Sequence, residues 1–280
     1  ITFPEAIIPA GEKGAYHAAL GDAYLGLNDY AKALDEYAKA AANDQGIFKK
    51  DLGLYARLGD AAFKIGDMEK ARTYLLLSIN LGDPRAKTMQ MLRLGDCLYK
   101  LGQMQQAVEV YSQVGNLPVQ GENIVIAKLR KASILIDNDL KDDGKLANKT
   151  FYEVLGIYDG IEIAPNTPES ALAPIVKIRR AQLYARHGDW DQAFAAFDQS
   201  WRETKPEDPL HKYAYSEAIT SLASRLRVLA AAGDAKAMLE IYAKYRASFL
   251  ADIRDPEVML ILAQALVKEG QAANARALLV

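Results

Sequence analysis

The stretch Leu20-Gly21-Asp22-Ala23-Tyr24-Leu25-Gly26-Leu27-Asn28-Asp29-Tyr30-Ala31-Lys32-Ala33 decides the fold, because its parts recur down the chain. Its closing phrase is a Gly or Asn, then Asp or Gln, then an Ala four residues on. The phrase returns at Gly66-Asp67 with Ala71, Gly102-Gln103 with Ala107, Gly188-Asp189 with Ala193, Gly233-Asp234 with Met238 in the Ala place, and Gly270-Gln271 with Ala275. A chain that repeats its own turn chemistry is a stack of like units. Each phrase reads as a helical hairpin. Gly or Asn enters the left-handed conformation that ends one helix. Asp then accepts a hydrogen bond from the first free amides of the next helix, and Ala lies where two backbones approach closely.

The opening phrase recurs as well, at Leu58-Gly59 and at Leu94-Gly95 with Leu98. Gly inside a helix costs about 1 kcal/mol against Ala, so its return at one place predicts a packing contact there. These residues resemble the tetratricopeptide repeat, a pair of antiparallel helices of about 34 residues. Leu20, Gly21, Tyr24, Ala33, Tyr37 and Ala40 stand in its register, followed by Leu58, Gly59, Ala71, Leu75 and a terminal Pro84, then Leu94, Gly95, Leu98, Ala107, Tyr111 and Pro118. A later copy offers Ala181, Tyr184, Ala193 and Phe197, and poorer ones lie around residues 226–245 and 263–279. The family Trp is replaced by His17 and Tyr55.

The resemblance implies an all-α fold, a right-handed superhelical solenoid of stacked antiparallel helix pairs with about six to seven repeats. The expected organisation is a lead-in over residues 1–13, three well-formed repeats over 14–118, a degenerate repeat over 119–160, a Pro-rich connection over 161–173, and tetratricopeptide-like repeats over 174–280, the last one cut short. The degenerate repeat is predicted as helices over 123–138 and 143–158 around an acidic turn at 137–144. The 38 residues from Gly21 to Gly59 and the 36 from Gly59 to Gly95 exceed the family length, which predicts long helices or long connections. The chain begins Ile1-Thr2-Phe3-Pro4, without Met or an apolar signal core, and Val280 falls inside the last predicted helix; the expectation is a segment of a longer protein.

Composition narrows the function. Half of the residues are hydrophobic, a quarter are charged and the formal net charge is -2, so there is no basic excess of the kind that nucleic-acid binding needs. No stretch reaches the roughly 18 apolar residues of a membrane span. The single cysteine, Cys97, cannot form an internal disulfide and reads as a small buried hydrophobe. His17, His187 and His211 lie on different repeats, away from any recognised ligand spacing, and Asp142-Asp143 belong to a turn. No phosphate-cradling Gly motif or GxSxG phrase occurs. The expectation is a non-enzyme without cofactor or metal.

The resemblance supplies a groove lined by first helices. It puts Arg57, Arg93, Arg130 and Arg179 in one slot of successive first helices, with Asp22, Asp60 and Asp96 three residues on in the first three repeats, and Lys64, Lys100 and Arg186 extending the basic side. Such a ladder can clamp carboxylates. The arginines can equally pair with the acids of their own helix or of the next repeat. Arg130 and Arg179, followed by Ser133 and Gln182 where Asp would stand, are expected to be freest for a ligand. Leu25, Phe63, Leu92 and Tyr99 supply apolar and aromatic rungs for an amphipathic helix or an apolar peptide. Some tetratricopeptide domains grip the acidic carboxy terminus of chaperones through two Lys, two Asn and one Arg. Here those places hold Ala18, Asp22, Arg57, Met89 and Arg93, and only Arg93 agrees.

The expected function is therefore a protein-interaction scaffold of bacterial origin, binding a peptide or helix that carries acidic residues or a free carboxylate, and able to self-associate through its C-terminal helix. The alternative is the recruiting or regulatory arm of a larger enzyme or of a cell-envelope export or assembly machine. A groove for glycan or cell-wall polymer is a third reading, which the arginines count against. The expected compartment is the bacterial periplasm or cell envelope, with the cytoplasm as the alternative.

Overall fold

The structure, a computed structural model, describes residues 7–81, 87–140, 145–251 and 253–279. Ile1-Thr2-Phe3-Pro4, the terminal Pro84, Asp142-Asp143 with the rest of 141–144, and Val280 lie outside the described residues. The chain is all-α, with no strand among the described residues. It divides into two compact units, residues 1–134 and 135–280.

In the first unit α1 (Lys13–Gly26) pairs with α2 (Tyr30–Asn43), α4 (Leu54–Ile65) with α5 (Met68–Asn80), and α6 (Thr88–Lys100) with α7 (Met104–Gly115). A short α3 (Ile47–Lys50) lies between the first two pairs, which accounts for the extra length from Gly21 to Gly59. The helix α8 (Glu122–Asp139) contributes Ile124, Ala127 and Ile134 to the core built with α4 to α7. In the second unit α9 (Asn148–Asp159) precedes the pairs α10 (Ala173–His187) with α11 (Trp190–Glu203), α12 (Pro209–Ala231) with α13 (Ala235–Tyr245), and α14 (Pro256–Lys268) with α15 (Ala272–Leu278). The second helix of the degenerate repeat thus starts at Asn148, later than expected. The Pro-rich connection holds a 3-10 helix, Pro168–Leu172, with Pro168 at its first position, where no N–H is needed, and Pro174 in the first turn of α10 that follows.

All six repeated turns form as their residues dictate. Asn28, Gly66, Gly102, Gly188, Gly233 and Gly270 have φ between 60° and 97°, the left-handed region. In each turn the next amide, from Asp29, Asp67, Gln103, Asp189, Asp234 or Gln271, donates to a carbonyl five residues back at 2.8 to 3.0 Å. The left-handed residue itself donates to the carbonyl three residues back at 3.0 to 3.2 Å. Asp29, Asp67 and Asp234 then cap the following helix through the amides of Lys32, Lys70 and Ala237. Asp189 does not, since its carboxylate accepts from His187.

The mid-helix glycines are explained by contact. A Cβ at Gly21 or Gly95 would run into the ring of Tyr37 or Tyr111, and one at Gly59 would stand 2.8 Å from Leu75. The first three hairpins each close with the Gly of the first helix against a large buried side chain of the second. Tyr37, Leu75 and Tyr111 are buried, as are Ala33, Ala71 and Ala107. Burying each large side chain contributes about 1.5–3 kcal/mol. Cys97 is fully buried, and burial pushes its thiol pKa up to about 11, so it packs as an inert hydrophobe.

Candidate functional site

The first helices of the first unit carry their Arg and Asp residues on a shared face, and the pairing runs between repeats. Arg57 of α4 reaches back to Asp22 of α1, Nε to Oδ1 at 2.7 Å, and also holds Asp51. Arg93 of α6 reaches back to Asp60 of α4, and Arg130 of α8 to Asp96 of α6. Two of the three acids are fixed from beneath by their own hairpin: the hydroxyls of Tyr37 and Tyr111 donate to Asp22 Oδ1 and Asp96 Oδ1, both at 2.6 Å. Burial and the neighbouring carboxylate push both phenols well above the usual tyrosine range, so they remain donors at any ordinary pH.

Two expectations change. Arg130 is not free, because the acid missing from its own helix is supplied by Asp96, 34 residues earlier. Leu92 is 4 % exposed and belongs to the core between α4 and α8, so it offers no rung to a partner. Arg179 lies on α10 in the second unit and takes no part in this ladder. Its Nη1 donates to Gln182 Oε1 at 3.1 Å, and Gln182 passes a hydrogen bond to Glu217 Oε2 at 2.5 Å. No carboxylate pairs directly with Arg179 among the described residues. Nearby, burial lifts the Tyr158 hydroxyl to about 12 against the pull of Arg179 and Arg186.

Around the ladder the first unit exposes a mixed surface. Tyr99 is 43 % exposed, Leu25 and Phe63 are half-buried, and Lys64 is exposed. Lys100 places its ammonium 4.8 Å from the centre of the Phe63 ring, a cation–π contact that holds both side chains in place. The tyrosine hydroxyls beneath the acids were the part of this site that sequence reasoning passed over. Their signal was present, since Tyr37 and Tyr111 stand at one place in the first and third repeats while Leu75 stands in the second.

The histidines hold structure. His17 is buried with Nδ1 at 2.7 Å from Glu36 Oε2. His187 bonds Asp189 and Asn148 and stacks on Phe151, with ring centres 3.8 Å apart. His211 meets Thr204 at 3.1 Å. No group of three or more His, Cys, Asp or Glu suited to a metal ion occurs among the described residues.

Two family models described as tetratricopeptide repeat match the sequence, over residues 18–86 and 91–117. Those two stretches are tetratricopeptide repeats. Both matches lie in the first unit, where the Gly-to-Tyr or Gly-to-Leu contacts and the cross-repeat ion pairs are found. Among solved structures, the apo form of the quorum sensor NprR from B. thuringiensis is similar with a TM-score of 0.50 at 14% identity, over 98% of this chain and 76% of that one. The TPR2AB-domain:pHSP90 complex of yeast Sti1 aligns with a TM-score of 0.38 at 14% identity, over 96% of both chains. At that identity the first likeness concerns the fold alone. No curated protein matches the sequence.

Proposed function

We propose that this chain is a non-catalytic scaffold that holds a peptide or helix of a partner protein across the first helices of its first unit. The repeat class itself supports an interaction role. The observation behind the finer reading is the direction of the ion pairs. With Arg57, Arg93 and Arg130 answered by Asp22, Asp60 and Asp96 of the preceding repeat, the charged ladder is a floor that ties helices together. What remains to meet a partner is the line Leu25, Phe63 and Tyr99, with the ammonium groups of Lys64 and Lys100 at its side. Apolar side chains at helical spacing would lie on the rungs, and acidic residues would meet the two lysines. Arg179 offers a further cation in the second unit.

A displayed library of random peptides, selected on the whole chain, tests the reading. Enriched sequences should be amphipathic and acidic on one side. Their binding should fall about tenfold or more for Phe63→Ser with Tyr99→Ser, since a few buried aromatic anchors carry most interface energy. Peptides that bind equally well to that double variant would place the partner elsewhere.

A further inference from the structure

The second unit contains a cleft that the repeat pattern does not call for. It lies between α11, α12 and α13, has a volume of about 580 Å³, and is lined by Trp190, Phe194, Arg225, Ile241, Lys244 and Tyr245 among others. That volume falls within the range of small-molecule sites. Its floor is aromatic and aliphatic, and two of the polar groups that line it, on Arg225 and Tyr245, are buried at an atom without a hydrogen-bond partner. Arg225 sits on the Trp190 ring, its guanidinium carbon 5.7 Å from the ring centre, and has no ion pair or hydrogen bond among the described residues. The Nε of Arg225 is buried without a hydrogen-bond partner. Tyr245 is 5 % exposed, and its hydroxyl is buried with no partner at full hydrogen-bond geometry, with Lys244 and Asp198 close to it. A buried donor left unpaired costs free energy, and an acceptor supplied by a ligand removes that cost.

The start of α11 opens onto the same cleft through Asp189, Trp190, Asp191 and Gln192. Its first amides are not capped by a side chain, because the Asp189 carboxylate turns to His187 Nδ1 at 2.8 Å. The amides add further donors and the positive end of a helix dipole. Acidic groups are present too. Asp191 has a side chain 99% exposed and stands 3.9 Å from Lys244, and Glu240 is exposed among the lining residues. They disfavour a ligand with more than one negative charge, while Lys244 offsets part of their field.

We propose that this cleft binds a monocarboxylate with an apolar or aromatic body. The carboxylate lies against Arg225 and the first amides of α11, within reach of Lys244, and the body packs on Trp190, Phe194 and Ile241. A free organic acid and the carboxy-terminal residue of a peptide share this chemistry. The site is separate from the first-helix surface of the first unit, so either reading can fail without the other.

The test uses the whole chain and calorimetric titration with four probes: 3-phenylpropionate, its amide, acetyl-Gly-Phe with a free carboxylate, and its amide. At least one acid should bind saturably and about tenfold or more tighter than its amide, as charge-assisted bonds to the guanidinium require. Saturation by both acids would mean a pocket open to either source. Saturation by the peptide alone or by phenylpropionate alone would name the source. Arg225→Gln should abolish the preference for acid over amide while the circular dichroism and melting of the chain stay unchanged. Lys244→Gln, at the more exposed rim, should weaken it in part and serves if Arg225→Gln does not fold. Acid and amide binding alike, no saturation at millimolar concentration, or an acid preference retained in the folded Arg225→Gln protein would each overturn the proposal.

Discussion

At the scale of single residues, the hairpins are closed by contacts that have no slack. A Cβ on Gly95 would stand 2.5 Å from the Tyr111 ring, and the backbone of α6 cannot withdraw without opening the core that holds Leu94 and Leu98. Gly95→Ala should therefore destabilise the chain by about 1–3 kcal/mol, despite the better helix propensity of Ala. Urea unfolding measures it, and the same change with Tyr111→Leu should cost less than the sum of the two alone. Glu36 gives a pH-dependent case. Burial pushes its carboxyl up, but hydrogen bonds from Lys39 and His17 outweigh burial and hold it below the usual 4.5. A carboxylate with a lowered pKa contributes stability that is present above 4.5 and lost as pH falls through the folded-state value. Glu36→Gln should thus cost about 1–3 kcal/mol at pH 7, and the difference from the native chain should shrink as pH drops below 4.5. A difference that stayed constant down to pH 3 would mean that the bond to Lys39 is not formed.

At the scale of elements, the turns were legible in the sequence because their chemistry is local. A left-handed residue followed by a cap needs only neighbours in the chain, and all six such phrases became turns with the same two backbone hydrogen bonds. Caps can be told apart by experiment. Asp67→Ala should lower the hydrogen-exchange protection of the first turn of α5 about fivefold, the loss of one cap. Asp189→Ala should leave the first turn of α11 nearly unchanged, because that side chain bonds His187 rather than the helix. Equal losses at both helices would contradict the cap geometry. Less could be read where an element depends on distant partners. The 23 residues of α12 exceed any repeat expectation, since their apolar face is set by contacts with α10, α11 and α14. Leu92 looks like a rung from its spacing, yet it is buried, because a bulky side chain in a place held by Ala18 in the first repeat fills the core instead.

At the scale of the molecule, each unit is a run of helical pairs, and what ties one pair to the next is only partly visible in sequence. Arg93 and Asp96 stand three residues apart on one helix, a spacing that allows them to pair with each other. The structure instead sends Arg93 back to Asp60 and leaves Asp96 to Tyr111 and Arg130. Spacing alone could not decide between the two, because the partner lies one repeat away and the tyrosine hydroxyl that fixes the acid comes from a different helix. That choice also carries the functional account, since arginines bound between repeats are not available as a ligand clamp. The most direct measurement is a pair of double-mutant cycles by urea unfolding, Asp96→Asn with Arg130→Gln and Asp96→Asn with Arg93→Gln. The cross-repeat cycle should show a coupling of about 0.5–1 kcal/mol, modest because Arg130 is partly exposed, and the same-helix cycle should show less. Coupling confined to Asp96 and Arg93, with Asp96 and Arg130 strictly additive, would contradict the account and return Arg130 to the list of groups free to hold a partner.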